Sequence, residues 1–358
     1  MLMTMRSKNG KTESPAGLFA LSPEAVVGLV NGRVEFANHA AERLFGRAVA
    51  GESMYTLAPE LDVSVTEDSF ITAAAVGGRD YAVTAVRWQG RLILTFRPMR
   101  EASGAVGQAM LSRLRAEAFT LRFSLDRVVS PEVQADPRGQ LLFHSYYKLL
   151  HLIDQLSDGS ALSRGEMYCR KQAVDLSALL RDLAESVNCF TSQRGAEILC
   201  NLPEERCVTM GSPERLEQLM LILLSNALRH TPPEGKIRLG LRASGTKLII
   251  SVDDSGSGMD EEAMASAFSL REEDDLTRSG GTGMGLHIAY GIARLHGGTI
   301  MLHSKNGEGT FVRLTLPTAG GNLSVRDASA APARGPDAIL TELADVLDDR
   351  AYHPRYRD

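Results

Sequence analysis

The chain has 358 residues, and at roughly 100 to 200 residues per domain this length predicts two or three domains. Hydrophobic residues make up 44% of it and charged residues 23%, values near the average of globular proteins, which argues against a mainly disordered, collagen-like or coiled-coil chain. The 39 basic and 44 acidic side chains give a formal net charge of -5, so nucleic acid and anionic lipid are not expected partners.

Residues 1–17 mix basic residues with serine, threonine and glycine and lack the apolar core of a secretory signal, so we expect a flexible tail there. Apolar runs elsewhere stop well short of the ~18 residues that span a bilayer. The sequence therefore predicts a cytoplasmic protein without direct membrane insertion. The cysteines have no metal-binding spacing and are expected to be reduced and packed: Cys169, Cys189, Cys200 and Cys207.

Residues 18–100 carry the alternating apolar pattern and the turn pairs of a small α+β module. Two predicted hairpins turn at Asn31-Gly32 and at Gln89-Gly90, and a short helix is predicted at residues 38–44. The stretch VVGLVNGRVEFANHAAERLFG and this order of elements resemble a PAS domain, a small sensor fold. The resemblance implies a sensor module but names no ligand.

Residues 105–168 are predicted to form an antiparallel helical hairpin. Apolar residues recur at intervals of three and four in both of its halves: Leu111, Leu114, Ala118, Leu121, Leu125 and Val128, then Leu142, Tyr146, Leu149, Ile153 and Leu156. A hairpin this short buries both stripes best by pairing with a second copy in a four-helix bundle, which predicts a homodimer. His144 and His151 each lie two positions beyond a residue of the second stripe, and we expect them to point outward.

Residues 172–318 alternate between helical and strand patterns, which predicts an α/β sandwich. Beyond them, residues 319–358 are predicted to form a flexible linker and a short acidic amphipathic helix at residues 339–347. The predicted fold class is therefore multidomain α+β: a PAS-like module, a helical hairpin and an α/β sandwich.

Three stretches of the sandwich carry residues suited to binding a nucleotide. In RLEQLMLILLSNALRHTP, Asn226, Arg229 and His230 share one helical turn, where they offer an oxygen ligand, a phosphate partner and a flat ring. In VDDSGSGM, a strand ends at Val252, and Asp254 projects from that strand end, where it can accept a hydrogen bond from an adenine amino group. In SGGTGMGLHIAY, glycines precede a helix whose N-terminus can receive phosphate.

In this order, the three stretches resemble the ATP-binding domain of sensor histidine kinases, the Bergerat fold shared with type II topoisomerase and mismatch-repair ATPases. The stretches LLHLIDQLSD, VDLSALLRDLAE and GEGTFVRLTLP extend the resemblance from residue 142 to residue 317. It implies that ATP and Mg²⁺ are the cofactors and that Asn226 holds the metal. It also implies the nucleotide-binding residues Asn226, Arg229, His230, Asp254, Gly256, Gly258, Gly281, Gly283, Gly285, Leu286 and Thr310, with a mobile lid near residues 269–279.

The sequence departs from the family pattern in three places. The first hairpin helix has no histidine to accept phosphate, so the acceptor is unassigned and His144 is only a candidate. Ile222 stands one turn before Asn226, where these kinases commonly carry a second asparagine and the related ATPases a general-base glutamate. The predicted lid lacks the second phenylalanine expected after Phe268.

These observations predict a cytosolic, dimeric sensor histidine kinase of a two-component phosphorelay that signals to a response regulator protein. The missing acceptor histidine leaves open a nucleotide-binding pseudokinase or scaffold. A serine/threonine kinase of the anti-sigma-factor type uses the same ATP fold, although the predicted hairpin and sensor module argue against it. An ATPase is disfavoured because Ile222 cannot activate water.

Overall fold

The computed structural model describes residues 19–20, 22–99, 107–191, 195–260, 263–264, 267–268, 283–319 and 336–354. The chain forms two compact units, one that ends at Pro98 and one that continues to the C-terminus. Among the described residues, no helix combines the length and the hydropathy needed to cross a bilayer. The predicted tail, Gly281 and the predicted lid lie outside the described residues.

The part of the first unit that the structure describes contains a five-stranded sheet and two short helices. Its strands follow the order β2-β1-β5-β4-β3. The elements are β1 (Ala25–Val30), β2 (Arg33–Ala37), α1 (His39–Phe45), α2 (Met54–Leu57), β3 (Ser69–Val76), β4 (Arg79–Trp88) and β5 (Arg91–Pro98). Both predicted hairpins are confirmed, and all four turn residues have positive φ: Asn31, Gly32, Gln89 and Gly90.

Asn38 determines where helix α1 begins. Its side-chain Oδ1 accepts the N–H of Ala41 inside the helix and the N–H of Val26 on β1. This one buried carboxamide therefore caps the helix and ties it to the first strand. Asparagine is a preferred capping residue, and the predicted start of the helix at residue 38 agrees with the observed cap.

The second unit begins with the predicted helical hairpin, built from α3 (Gln108–Val128) and α5 (Pro137–Ser163). A short helix α4 (Pro131–Ala135), which was not predicted, lies in the connection. Helix α5 is joined to the α/β part through Asp158, whose carboxylate accepts from Arg215 at 2.9 Å and from Gln218 at 2.7 Å.

The prediction that His144 and His151 point outward is wrong. Only 7% of His144 and 4% of His151 is exposed, whereas the stripe residues Leu142 and Leu149 are each 43% exposed. The reason is that helix α5 uses a different face for packing within the chain, and the C-terminal residues cover that face. A heptad pattern can show that a helix has an apolar stripe, but it does not show which other faces become covered.

Within the described residues, the α/β part contains a mixed sheet, a two-stranded sheet and three long helices. The mixed sheet has the order β11-β12-β10-β9-β7, in which only the β7–β9 pair is parallel, and β6 pairs with β8. The elements are β6 (Gln172–Asp175), α6 (Leu176–Thr191), β7 (Glu197–Asn201), β8 (Val208–Gly211), α7 (Pro213–His230), β9 (Lys236–Ser244), β10 (Lys247–Asp254), α8 (Gly285–Leu295), β11 (Thr299–Lys305) and β12 (Gly309–Pro317). The short strands β6, β7 and β8 were not predicted, since four or five residues carry little periodicity.

Helix α7 positions three of the predicted site residues at its C-terminal end. It begins at Pro213 with Ser212 as N-cap, whose hydroxyl accepts the N–H of Arg215. Its apolar residues, including Leu219 and Leu223, are buried against the sheet and neighbouring helices. The helix ends at His230, so Asn226 lies near its C-terminal end. There it lines the same cavity as Asp254, the last residue of β10.

His296 joins helix α8 to the start of helix α7. Its Nε2 accepts the N–H of Ser212 at 3.0 Å, and its Nδ1 donates to the carbonyl of Ile292 at 2.7 Å. The ring is buried, and burial lowers its pKa below the ordinary value of a histidine. Only a deprotonated Nε2 can accept from Ser212, so the two bonds form together only in the neutral ring that carries its proton on Nδ1.

We expect the free energy of unfolding to fall as the pH drops below about 6.5, the ordinary histidine pKa. Below this pH, His296 binds a proton more readily in the unfolded chain than in the folded chain, so acid favours unfolding. Chemical denaturation at several pH values measures this dependence. A His296→Gln variant should flatten it, whereas the exposed control His230→Gln should leave it unchanged; an unchanged slope in His296→Gln would contradict the assignment.

The last described residues, 336–354, form what we call the C-terminal segment. It contains helix α9 (Pro336–Glu342) and a 3₁₀ helix (Asp349–Tyr352), so the predicted helix at residues 339–347 is displaced toward the N-terminus. Leu340, Leu343 and Tyr352 are fully buried against the rest of the unit. The cysteine prediction is wrong for Cys189 and Cys200, which are exposed.

Candidate functional site

A cavity of about 380 Å³ opens between the C-terminal end of α7, the end of β10 and the N-terminus of α8. Its lining includes most of the residues predicted from the sequence: Asn226, Arg229, His230, Asp254, Gly258, Gly283, Gly285, Leu286 and Thr310. Gly256 is not part of the lining, and Gly281 lies outside the described residues. The fold therefore brings together three stretches that are far apart in the chain.

Asp254 places a carboxylate in a largely apolar part of the cavity. Its Oδ1 accepts the N–H of Gly256 at 2.9 Å, and its side chain also accepts the N–H of Thr310. The residue is buried beside Val252 and Leu302, and this burial raises the pKa of the carboxyl although the two hydrogen bonds oppose the shift. A fixed acceptor among apolar side chains suits a flat ring with an amino group.

Glycines allow the backbone around Asp254 to pack closely. A Cβ on Gly256 would lie 2.6 Å from the carbonyl oxygen of His230. A Cβ on Gly309 would lie 2.0 Å from the carbonyl oxygen of Asp254, and Gly309 has a φ of +90°. These glycines are therefore required because backbone approaches backbone closely at both positions. Close packing explains Gly256, although Gly256 does not line the cavity.

Another part of the cavity lining, which we call the polar end, is suited to phosphate. The carboxamide of Asn226 is half-buried there, and Gly283 and Gly285 lead into helix α8, whose N-terminus favours anions. Arg229 lines the same end, where its Nη2 donates to Oδ2 of Asp345 at 2.9 Å. The arginine expected beside phosphate is thus engaged by a carboxylate of the C-terminal segment.

Four of the lining residues that were not predicted from the sequence come from elements outside the three predicted stretches. His151 and Gln155 come from helix α5, and Glu342 and Asp345 come from the C-terminal segment. Gln155 Nε2 donates to His151 Nε2 at 2.7 Å, while Glu342 Oε2 lies 3.6 Å from His151 Nδ1. Burial lowers the pKa of His151. No local pattern could have identified these four, because only the docking of distant elements brings them to the cavity.

His144, the candidate acceptor, is not part of the cavity lining. Its Nδ1 lies 2.5 Å from Oδ1 of Asp349, and its Nε2 lies 2.7 Å from the carbonyl oxygen of Ala344. The ring also stacks on Tyr352 with centroids 4.6 Å apart. Both ring nitrogens are therefore occupied, so an acceptor role for His144 stays a prediction and requires movement of the C-terminal segment.

The cavity lining fits a hard cation that arrives with a ligand. Asn226 supplies a carboxamide oxygen, a ligand type that Mg²⁺ accepts, whereas Ile222 one turn earlier supplies none. Among the described residues, no group of three or more histidine, cysteine, aspartate or glutamate side chains could hold a metal by itself. Mg²⁺ bound by one or two protein oxygens together with phosphates agrees with this lining.

Family profiles match both units of the chain. Residues 211–320 match the family described as histidine kinase-, DNA gyrase B-, and HSP90-like ATPase, and residues 16–75 match the PAS domain family. The predicted resemblances to a PAS domain and to the Bergerat ATP-binding fold are thereby confirmed. The first match contains the cavity-lining stretches from α7 to β12.

Curated relatives are sensor kinases. The chain is 28% identical over 216 residues to sensor histidine kinase MtrB of Mycobacterium tuberculosis, which covers 58% of this chain and 38% of MtrB. It is 31% identical over 176 residues to the circadian input-output histidine kinase CikA of Synechococcus elongatus, covering 47% of this chain and 23% of CikA. The chain thus spans less than half the length of these relatives.

Among solved structures, histidine kinase AdeS of Acinetobacter baumannii matches with a TM-score of 0.42 and 17% identity, over 59% of this chain and 96% of AdeS. Full-length ShkA in complex with AMPPNP matches with a TM-score of 0.44 and 22% identity, over 63% of this chain and 48% of ShkA.

Proposed function

We propose that this chain is a sensor histidine kinase and that its second unit binds Mg-ATP in the cavity described above in order to signal to a response regulator protein. The observation that carries the proposal is the buried carboxylate of Asp254, which faces a cavity that also contains Asn226 and an open helix N-terminus. An acceptor for adenine and a polar end for phosphate therefore lie in one cavity of suitable size.

At the adenine end, Asp254 accepts a hydrogen bond from the amino group of the base. The N–H groups of Gly256 and Thr310 hold its carboxylate, which keeps the acceptor in one orientation. The exposed ring of His230 flanks the base, and Gly258 lets it lie close to the backbone. This arrangement recognises adenine by shape and by one charged acceptor.

At the phosphate end, Asn226 would hold Mg²⁺, and the backbone around Gly283 and Gly285 would receive phosphate oxygens. When bound, Mg²⁺ would neutralise negative charge on the phosphates. Arg229 can pair with phosphate when it is released from Asp345. Ile222 offers no base for activating water, which favours phosphoryl transfer or simple binding over steady hydrolysis.

A nucleotide-binding pseudokinase is the second candidate function. It is favoured by the absence of histidine from helix α3 and by the occupied ring nitrogens of His144. A phosphorylated partner serine, stable in acid, would instead indicate the serine/threonine kinase of the anti-sigma-factor type. Incubation with γ-labelled ATP separates these functions: base-stable, acid-labile label on the protein supports histidine phosphorylation, and its loss in a His144→Gln variant would identify the acceptor. ATP binding without any label supports the pseudokinase.

Replacement of Asn226 by alanine tests the metal role. We expect Asn226→Ala to weaken Mg-ATP binding about tenfold, on the order of 1.4 kcal/mol, while binding of ATP without Mg²⁺ changes little. Calorimetric titration with and without Mg²⁺ measures both constants. Asn201→Ala, at an exposed position at the end of β7, is the matched control and should bind as the parent does. An equal loss with and without Mg²⁺ would rule out the proposed ligand.

A further inference from the structure

The C-terminal segment contributes two carboxylates to the cavity. Glu342 and Asp345 both belong to its lining, and both lie near residues of the polar end: Asp345 bonds to Arg229 at 2.9 Å, and Glu342 lies 3.6 Å from His151. An acidic group at this end does not suit a phosphate chain, because like charges repel strongly where water is partly excluded.

We propose that Glu342 and Asp345 set the charge selectivity of the nucleotide site, so that the docked C-terminal segment holds it in a state of low affinity for triphosphates. The proposal rests on the proposed function, since it assumes that a nucleotide occupies this cavity. In the docked state the carboxylates disfavour the phosphate chain, whereas adenosine, which carries no phosphate, is little affected.

The first supporting observation is that Asp345 takes the partner that phosphate needs. Arg229 donates from Nη2 to Asp345, and both side chains are partly buried, so this ion pair is less screened than one in open water. A phosphate group can pair with Arg229 only by displacing Asp345. The segment therefore competes for the same cation and adds its own negative charge beside it.

The second observation is that the segment is anchored rather than loosely laid on the surface. Leu340, Leu343 and Tyr352 are fully buried, and within the segment the hydroxyl of Tyr352 donates to the carbonyl of Leu340. The ring of His144 binds the segment at Ala344 and Asp349. These contacts hold the two carboxylates at the cavity without help from the nucleotide.

The anchoring contacts also link the segment to the helical hairpin. His144, Tyr147 and His151 all lie on helix α5, and Tyr147 donates to the carboxylate of Asp337. A displacement of α5 would therefore strain the contacts that hold the segment. The same change would free Arg229 and the ring of His144, so nucleotide affinity and access to the hairpin histidines would rise together.

The test uses the full chain and two near-isosteric variants, Glu342→Gln and Asp345→Asn. Calorimetric titrations with ATP and with adenosine, at low salt and without Mg²⁺, give the two affinities. We expect each variant to bind ATP roughly fivefold more tightly or better, with a change below about twofold for adenosine. The gain should shrink at high salt, because screening weakens repulsion between charges.

Glu132→Gln is the matched control, because it removes one carboxylate from the exposed helix α4, outside the cavity lining. It should change neither affinity. A chain that ends at residue 335 should reproduce the gain for ATP, but it exposes a buried apolar surface and could fail to fold. The two amide variants retain the anchoring side chains and keep the test decisive in that case.

Four results would overturn the proposal. Weaker ATP binding in the amide variants would show that the carboxylates help to hold the ligand, and a loss confined to titrations repeated with Mg²⁺ would make them metal ligands. Equal gains for ATP and adenosine would show a general opening of the cavity, and unchanged affinities would show no selectivity.

Failure of the proposed function looks different. If neither the parent chain nor any variant binds adenosine or ATP, the cavity is not a nucleotide site and the inference falls with it. If adenosine binds and Asp254→Asn weakens that binding, the proposed function stands. The amide variants then decide the inference alone.

Discussion

Replacement of Asp254 by asparagine should weaken ATP binding by about 10- to 100-fold, which corresponds to about 1.5–3 kcal/mol for a hydrogen bond to a charged group. Asparagine keeps the size of the side chain, and its carbonyl oxygen can still accept the N–H of Gly256. Its other terminal atom is then an NH₂ donor, which opposes the amino group of adenine. Adenosine binding should fall by a similar factor, because the lost contact involves only the base.

The stability of the fold should not fall with this change. Burial raises the pKa of Asp254, so ionisation is less favourable in the folded chain than in the unfolded one. Just above the ordinary pKa of aspartate, the carboxyl of Asp254 is more often protonated in the folded chain than in the unfolded one. The contribution of Asp254 to the free energy of unfolding therefore decreases as the pH rises from that ordinary pKa to the raised pKa. A neutral amide removes that unfavourable contribution at neutral pH.

Asp253→Asn is the matched control, since Asp253 is the preceding residue of β10 and pairs with Arg238 on the other face of the strand. It should bind ATP as the parent does. Affinity of the parent for adenosine should also fall as the pH is lowered through the raised pKa of Asp254, while Asp254→Asn should show no such fall. Nucleotide affinity that is unchanged in Asp254→Asn would refute the adenine role, and with it the main support for the site.

Replacement of Gly309 by alanine should destabilise the second unit by about 3 kcal/mol or more. The φ of +90° is unfavourable for alanine, and the new Cβ would lie 2.0 Å from the carbonyl oxygen of Asp254. The backbone of β12 must then move away from the end of β10. Because Thr310 donates to Asp254, we expect ATP binding to weaken as well, even though Gly309 is not a cavity-lining residue.

Gly307→Ala separates the two causes. Gly307 has a similar φ of +83° in the same turn, but a Cβ there meets nothing within 4 Å. It should lose about 1 kcal/mol from backbone strain alone and keep parental ATP affinity. Denaturant unfolding and calorimetric titration of both variants measure the difference, and equal losses in the two would mean that close approach to Asp254 has no part in positioning the site.

The fold predicted from the sequence was largely correct where the signal is local. Asn31-Gly32 and Gln89-Gly90 tolerate positive φ, and both form the predicted turns. Asn38 caps a helix where an asparagine before an apolar pattern predicts one. Such residues act through their own backbone conformation or a hydrogen bond within a few residues, so the neighbouring sequence contains the needed information.

Part of the candidate site was predicted from the sequence, but the basis was not local backbone preference. Asp254, Asn226 and Gly283 were identified from motif order and from a family resemblance, and the structure places all three at one cavity. His151, Glu342 and Asp345 were missed, although they line the same cavity. Their local sequence resembles that of ordinary surface helices, and only the packing of α5 and the C-terminal segment gives them a site environment.

The sequence by itself indicated the turns at Asn31-Gly32 and Gln89-Gly90, the start of helix α1 and the stretches proposed to bind a nucleotide. These depend on short-range backbone preferences and on residue types with one suitable chemistry. Only the tertiary structure decided that His144 is buried and that the acidic C-terminal segment reaches Arg229. Burial of a helix face depends on a complementary surface that is distant in the chain, and no periodicity within the helix specifies which surface will cover it.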